Sequence, residues 1–127
     1  MKKSLLITFL SIGSMLNMNA QNLNGNWVGK GKQVDGLKWD IVLDIKNDNN
    51  ISINYPTLGC SGSWTLESSS ENVSVFTERI TTGLDNCDQG AEIHLSQKNN
   101  KQIKVIYYLR SYDPVNPIAK GKLKRKK

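Results

Sequence analysis

Glu78 is the residue whose placement matters most to any chemistry in this sequence. It stands in Phe76-Thr77-Glu78-Arg79-Ile80, so two-residue alternation that turns Phe76 and Ile80 inward turns Glu78 inward too. An inward carboxyl has a raised pKa or a cationic partner, and can contact a ligand. The opposite register leaves it in solvent. Glycoside hydrolysis would need a second carboxylate facing it, and spacing nominates none. His94 is the one histidine, and it shares a face with Glu92 and Ser96. No nucleophile and orienting acid are placed to make it part of a triad, so a solvated strand histidine is expected. Asp44, Asp48, Asp85 and Asp88 lack the alternating oxygen-ligand run of a calcium loop. There is no Gly-rich phosphate loop, nucleophile elbow or metal triad. The expectation is a protein with no catalytic residues, no metal and no cofactor.

The second candidate group is aromatic. Trp27, Trp39, Tyr55, Trp64 and Tyr107 all fall on the apolar face of an alternating segment. With Glu78 they are the candidate ligand-binding residues, lining a cup for a small apolar or sugar-like molecule. The alternative is that they fill a small core.

These side chains need strands to position them. Residues 37–46 alternate most clearly, with Leu37, Trp39, Ile41, Leu43 and Ile45 opposite Lys38, Asp40, Asp44 and Lys46. The pattern recurs over 26–34, 50–55, 60–67, 91–96, 102–110 and 118–125. Residues 73–81 are ambiguous, because Val73 and Val75 oppose Phe76 and Ile80, and a bulge or register change is expected. Asp35-Gly36, Asn47 to Asn50, Ser68 to Asn72 and Lys98 to Lys101 supply turns, and Asp113-Pro114 and Asn116-Pro117 a stiffer link. The sum is an all-β chain, an eight-stranded antiparallel meander, and since eight strands can close around a small interior the expected fold is a closed barrel. A two-sheet β-sandwich from the same strands is the alternative.

Residues 1–20 differ from the rest. Lys2 and Lys3 precede an apolar run from Ser4 to Met18, and Ala20 offers a small residue before Gln21. That order is a secretory signal peptide, leaving one domain over 21–127 with a basic C-terminal tail. The run is shorter than the roughly 20 apolar residues a membrane span needs. The protein is expected to be exported, soluble, and periplasmic or extracellular. Export favours a disulfide between Cys60 and Cys87, the only two cysteines, over a metal pair or two free thiols. Closing that loop of about 28 residues is worth roughly 3.5 kcal/mol in the chain-entropy picture.

The formal charge of +6 is unevenly placed. Lys2 and Lys3 leave with the leader, and Lys120, Lys122, Lys124, Arg125, Lys126 and Lys127 crowd the C-terminus. The body between is slightly acidic, which argues against a nucleic-acid footprint. The basic end is a candidate for weak contact with an anionic surface.

Two resemblances add to this. Gly25-x-Trp27 at the start of an eight-strand meander resembles the opening of lipocalins, and less closely of avidins. That likeness implies a basic residue of the last strand packed over Trp27, with Lys124 and Arg125 both open. Tyr55-Pro56-x-Leu58-Gly59-Cys60-x-Gly62-x-Trp64-x-Leu66, followed by Phe76-x-Glu78-x-Ile80-x-x-Gly83-x-Asp85-x-Cys87-x-x-Gly90, resembles a small extracytoplasmic β-domain of bacteria. It occurs alone after signal peptides and appended to membrane serine/threonine kinases. The resemblance implies fold, export and the Cys pair, and no activity. The function expected is an exported non-catalytic binding protein; the alternative is a protein-interaction module such as a hydrolase inhibitor or immunity-type protein.

Overall fold

The alternation read from the sequence becomes eight antiparallel strands: β1 Gly25–Gln33, β2 Lys38–Asn47, β3 Asn50–Tyr55, β4 Cys60–Ser69, β5 Val73–Thr82, β6 Glu92–Asn99, β7 Gln102–Tyr108 and β8 Ala119–Arg125. The computed structural model describes residues 23–126. The signal-peptide expectation on residues 1–20 and the basic residue Lys127 lie outside them. Each strand pairs with the next, and β8 returns to pair with β1, closing a barrel. That pairing, from Trp27 opposite Arg125 to Gln33 opposite Ala119, excludes the sandwich. No helix among the described residues is long and apolar enough to cross a membrane.

The strand faces follow elementary sterics. β2 runs buried and less buried by turns, with Trp39, Ile41, Leu43 and Ile45 inside. The ambiguity over 73–81 resolves into two register shifts. Glu67 is the extra residue on β4 where Leu66 faces Phe76 and Ser68 faces Val75, and Thr81 is the extra one on β5. Phe76, Glu78 and Ile80 therefore stay inside, while Val73 and Val75 are only half-buried.

Small residues make room for large ones. Gly31 on β1 faces Trp39 on β2, and a Cβ there would sit 2.8 Å from the Trp39 ring. The indole lies against a backbone that has no side chain.

The two ends differ. The lower end carries the short turns at 48–49, 70–72 and 100–101, and Trp27 plugs it, fully buried. Trp27 Nε1 donates to Leu23 O at 2.9 Å. Of the two basic candidates it is Arg125 that covers Trp27, 4.3 Å above the ring, with its guanidinium donating to Asn24 O and Asn100 O. The upper end carries the longer connections at 34–37, 56–59, 83–91 and 109–118.

Two expectations need correction. Leu37 does not open β2 with an inward side chain; it sits in the β1–β2 turn, where Gln33 N donates to its carbonyl and it is 49% exposed. The basic C-terminus is not a tail up to Arg125. Lys120, Lys122 and Lys124 belong to β8 and are held by ladders on both sides, Arg125 ends that strand opposite Trp27 on β1, and only Lys126 follows among the described residues.

Candidate functional site

Four strands each deliver an inward side chain to the upper end of the barrel: Trp39 from β2, Tyr55 from β3, Glu78 from β5 and Tyr107 from β7. They line a cup of about 120 Å³, whose mouth is completed by Leu37, Leu58, Asn86, Cys87, Leu109 and Ile118 among others. Roughly 300–1,000 Å³ is usual for a pocket that encloses a whole drug-sized ligand. This one has room for a ring or a terminal group.

Glu78 is 5% exposed, the only acidic or basic side chain that is buried among the described residues. No ion pair reaches it there. Its partners are neutral donors converging on one oxygen. The Tyr55 hydroxyl donates to Oε2, and Trp64 Nε1 donates to the same atom at 2.9 Å from the directly opposite position on β4. Tyr107 Oη lies 3.0 Å from Tyr55 Oη. A hydroxyl has one proton, so while Tyr55 gives its proton to the carboxyl, Tyr107 donates to Tyr55. Among the described residues no donor reaches the other oxygen, Oε1.

Burial sets the electrostatics. Loss of water raises the Glu78 pKa above the ordinary carboxylate value, and the hydrogen bonds from Tyr55 and Trp64 only partly offset it. Burial likewise pushes the Tyr55 and Tyr107 phenols up, with Glu78 adding to both shifts. Both tyrosines are therefore protonated donors across the physiological range. Trp39 lines the same cup, and its buried indole N–H has no acceptor among the described residues. The cup offers one unclaimed N–H, that of Trp39, and one unclaimed carboxyl oxygen, Glu78 Oε1, in apolar, aromatic walls.

The disulfide builds one side of the mouth. Cys60 opens β4, and its bond to Cys87 pins the 83–91 loop to the barrel rim, with Cα atoms 6.3 Å apart. Gln89 reinforces it by donating to Ile80 O and accepting from Ile80 N, occupying a ladder position that β6 starts too late to fill. Gly83, at φ +63°, approaches Gly59 O so closely that a Cβ would lie 2.0 Å from it.

The six candidates thus separate. Trp39, Tyr55, Glu78 and Tyr107 line the cup, Trp64 stands behind Glu78 as a donor, and Trp27 is at the other end. His94 lies outside on β6, bound to Glu92 at 2.6 Å and with its ring tilted against that of Tyr108, centroids 4.6 Å apart. Arg110 reaches the same carboxylate, and with His94 holds the Glu92 pKa down at about 2. His94 is thus an outer-face strand histidine, as expected, though half-buried rather than fully solvated, and it is the Glu92–Arg110 pair that brackets β6 to the 109–118 connection. Of the mouth residues, Leu109 continues the inward row of the 102–110 alternation although β7 ends at Tyr108, while Leu58 and Ile118 carry only the signal of apolar residues in otherwise polar connections. Among the described residues no three His, Cys, Asp or Glu side chains converge to hold a metal. A larger hollow of about 310 Å³ at the lower end is walled by the 69–74 and 97–100 turns, and no buried polar side chain lines it.

In fold the chain is similar to designed β-barrels. One is a de novo fluorescence-activating β-barrel, 15% identical, covering 84% of this chain and 96% of that one at a TM-score of 0.59. Another is a redesigned β-barrel, also 15% identical, covering 85% and 95% at a TM-score of 0.62. No family model and no curated protein matches the sequence.

Proposed function

We propose that this chain is an exported, non-catalytic binding protein whose upper cup takes the ring or terminal group of a small apolar or sugar-like molecule. One observation carries the reading: a buried carboxyl with no cation, one oxygen saturated by Tyr55 and Trp64 and the other unclaimed, lines an aromatic cup. A purely structural role would be met more cheaply by an apolar side chain, since burying a carboxyl costs free energy. A ligand hydroxyl or carbonyl at Oε1 gives the group a use. The Cys60–Cys87 bond and the leader-like order of Lys2 to Ala20 support export. The likeness to a barrel designed to activate fluorescence is compatible with a binding role.

Ligand-observed NMR with N-acetylglucosamine, glucose and phenol tests this. Saturation transfer to at least one probe is expected from the wild type and not from Ala91→Trp, which fills the cup. Transfer that survives Ala91→Trp, or is absent for all probes, contradicts it.

A specific observation also favours a protein partner. Of six large apolar side chains exposed among the described residues, five (Val34, Leu37, Leu84, Tyr112 and Val115) stand on the connections at the cup end. A protein-interaction module would use this crown around a central pocket. Capture of one stoichiometric partner from the exported fraction by the wild type, lost in Leu37→Asp/Tyr112→Asp, would favour it over the small-molecule reading.

A further inference from the structure

The closed barrel leaves one outer face with a charge arrangement that folding does not explain. On β1, β8 and β7, Lys30 is opposite Lys122, Lys122 is opposite Lys104, and Lys32 is opposite Lys120. Lys32 also faces Lys38 across the β1–β2 ladder. Like charges directly opposite each other destabilise a sheet. Lysines often guard edge strands against mispairing, but a closed barrel has no edge to guard. Among the described residues only Lys30 of these lysines has an ion-pair partner, Asp40 at 3.0 Å, and that pair is well exposed. Lys30, Lys32, Lys104, Lys120 and Lys122 ring a shallow surface hollow of about 450 Å³.

We infer that this face docks the barrel on a surface of anionic phospholipid headgroups. The charges form a two-dimensional array, with rows about 4.8 Å apart across strands and about 7 Å along them. An array suits a sheet of phosphates better than a single chain of them. The side chains are ammonium groups, point charges that meet phosphates without a fixed fork geometry. Protein interfaces are depleted in lysine and anchored by Trp, Tyr or Arg, and none of these stands among the lysines of this hollow. Bases of a single-stranded nucleic acid would likewise lack an aromatic platform there. The outward residues between the charges include Val28, Ile106 and Val42, the last 38% exposed, which fits a headgroup interface. The inference is independent of the cup, which faces the barrel end.

Co-sedimentation with vesicles tests it. The full chain is compared on vesicles of equal parts phosphatidylglycerol and phosphatidylcholine and on phosphatidylcholine alone. Residues 1–22, with Lys2 and Lys3, are common to every variant, so the loss on substituting face lysines, measured on the same anionic vesicles, isolates the charged face. Binding only to the anionic vesicles, weakened by salt, is expected. Lys122→Gln should weaken it about fivefold, and Lys104→Gln/Lys122→Gln about 25-fold. Because Lys122 lies between two other lysines, Lys122→Gln should also raise the melting temperature, which separates lost docking from lost folding. Equal binding to both vesicles, binding unchanged in the double variant, or binding to soluble polyphosphate but not to vesicles would each overturn the inference.

Discussion

Trp64 Nε1 and Glu78 Oε2 are 2.9 Å apart across the β4–β5 ladder, at positions directly opposite each other. An indole donor facing a carboxyl in one inward row explains how an acid is tolerated there without a cation. Tyr55 supplies the second donor from β3. The hydrogen-bond arithmetic therefore governs what replacement of Glu78 does.

Glu78→Gln keeps an acceptor for Tyr55 and Trp64 and should fold with little loss. Glu78→Ala leaves a buried hydroxyl and a buried indole N–H unsatisfied, and should cost about 2–4 kcal/mol in urea unfolding.

The same residue sets a pH signature. Its folded pKa is raised, so the folded state binds the proton more tightly than the unfolded one. The stabilisation is fully present below the ordinary carboxylate value and is lost as pH rises through the folded pKa. Stability of the wild type, measured by urea unfolding at stepped pH, should fall across that window relative to Glu78→Gln, in which this component is absent.

Glu92 should behave in the opposite sense. Arg110 and then His94 hold its pKa down at about 2, so its contribution is present above the unfolded value of about 4.3 and is lost as pH falls towards 2. NMR titration of Arg110→Gln should show the Glu92 carboxyl moving back up towards the ordinary value.

Much of this architecture is legible in the chain, for reasons that also mark where legibility stops. Alternation gives the face of a residue and not its height along the barrel. Trp27 and Trp39 are both inward, yet one is the plug at the lower end and the other a wall of the cup. The Tyr55–Tyr107 contact joins residues 52 apart that sit on strands not adjacent in the barrel, so no local pattern signals it. Tyr55, Trp64, Glu78 and both cysteines all lie in the 36 residues from Tyr55 to Gly90 and come together at one end. Leu37 was misplaced because apolar alternation continues one residue past the point where the Asp35-Gly36 turn takes over.

Removing the disulfide should act on both stability and the cup. Cys60→Ser/Cys87→Ser should lose about 2–5 kcal/mol in guanidinium unfolding. Hydrogen exchange should quicken over 83–91 first, because that loop is held by Cys87 and by the Gln89 hydrogen bonds to Ile80.

Gly31→Ala should disturb the cup from behind. Its Cβ would meet the Trp39 ring at 2.8 Å, so the indole must shift, at a cost of about 1–3 kcal/mol. A changed environment of the Trp39 indole resonance, with that of Trp27 unmoved, would check it.

The two tryptophans also give the most direct test of the central claim, that this protein binds through its upper cup. With ¹⁵N-labelled protein, the indole N–H signals of Trp39 and Trp27 are followed while N-acetylglucosamine, glucose or phenol is titrated. The account predicts a saturable shift of the Trp39 signal, since Trp39 lines the cup, with Trp27 at the plugged end unchanged. A response at Trp27 without one at Trp39, or no response to any probe, would contradict it.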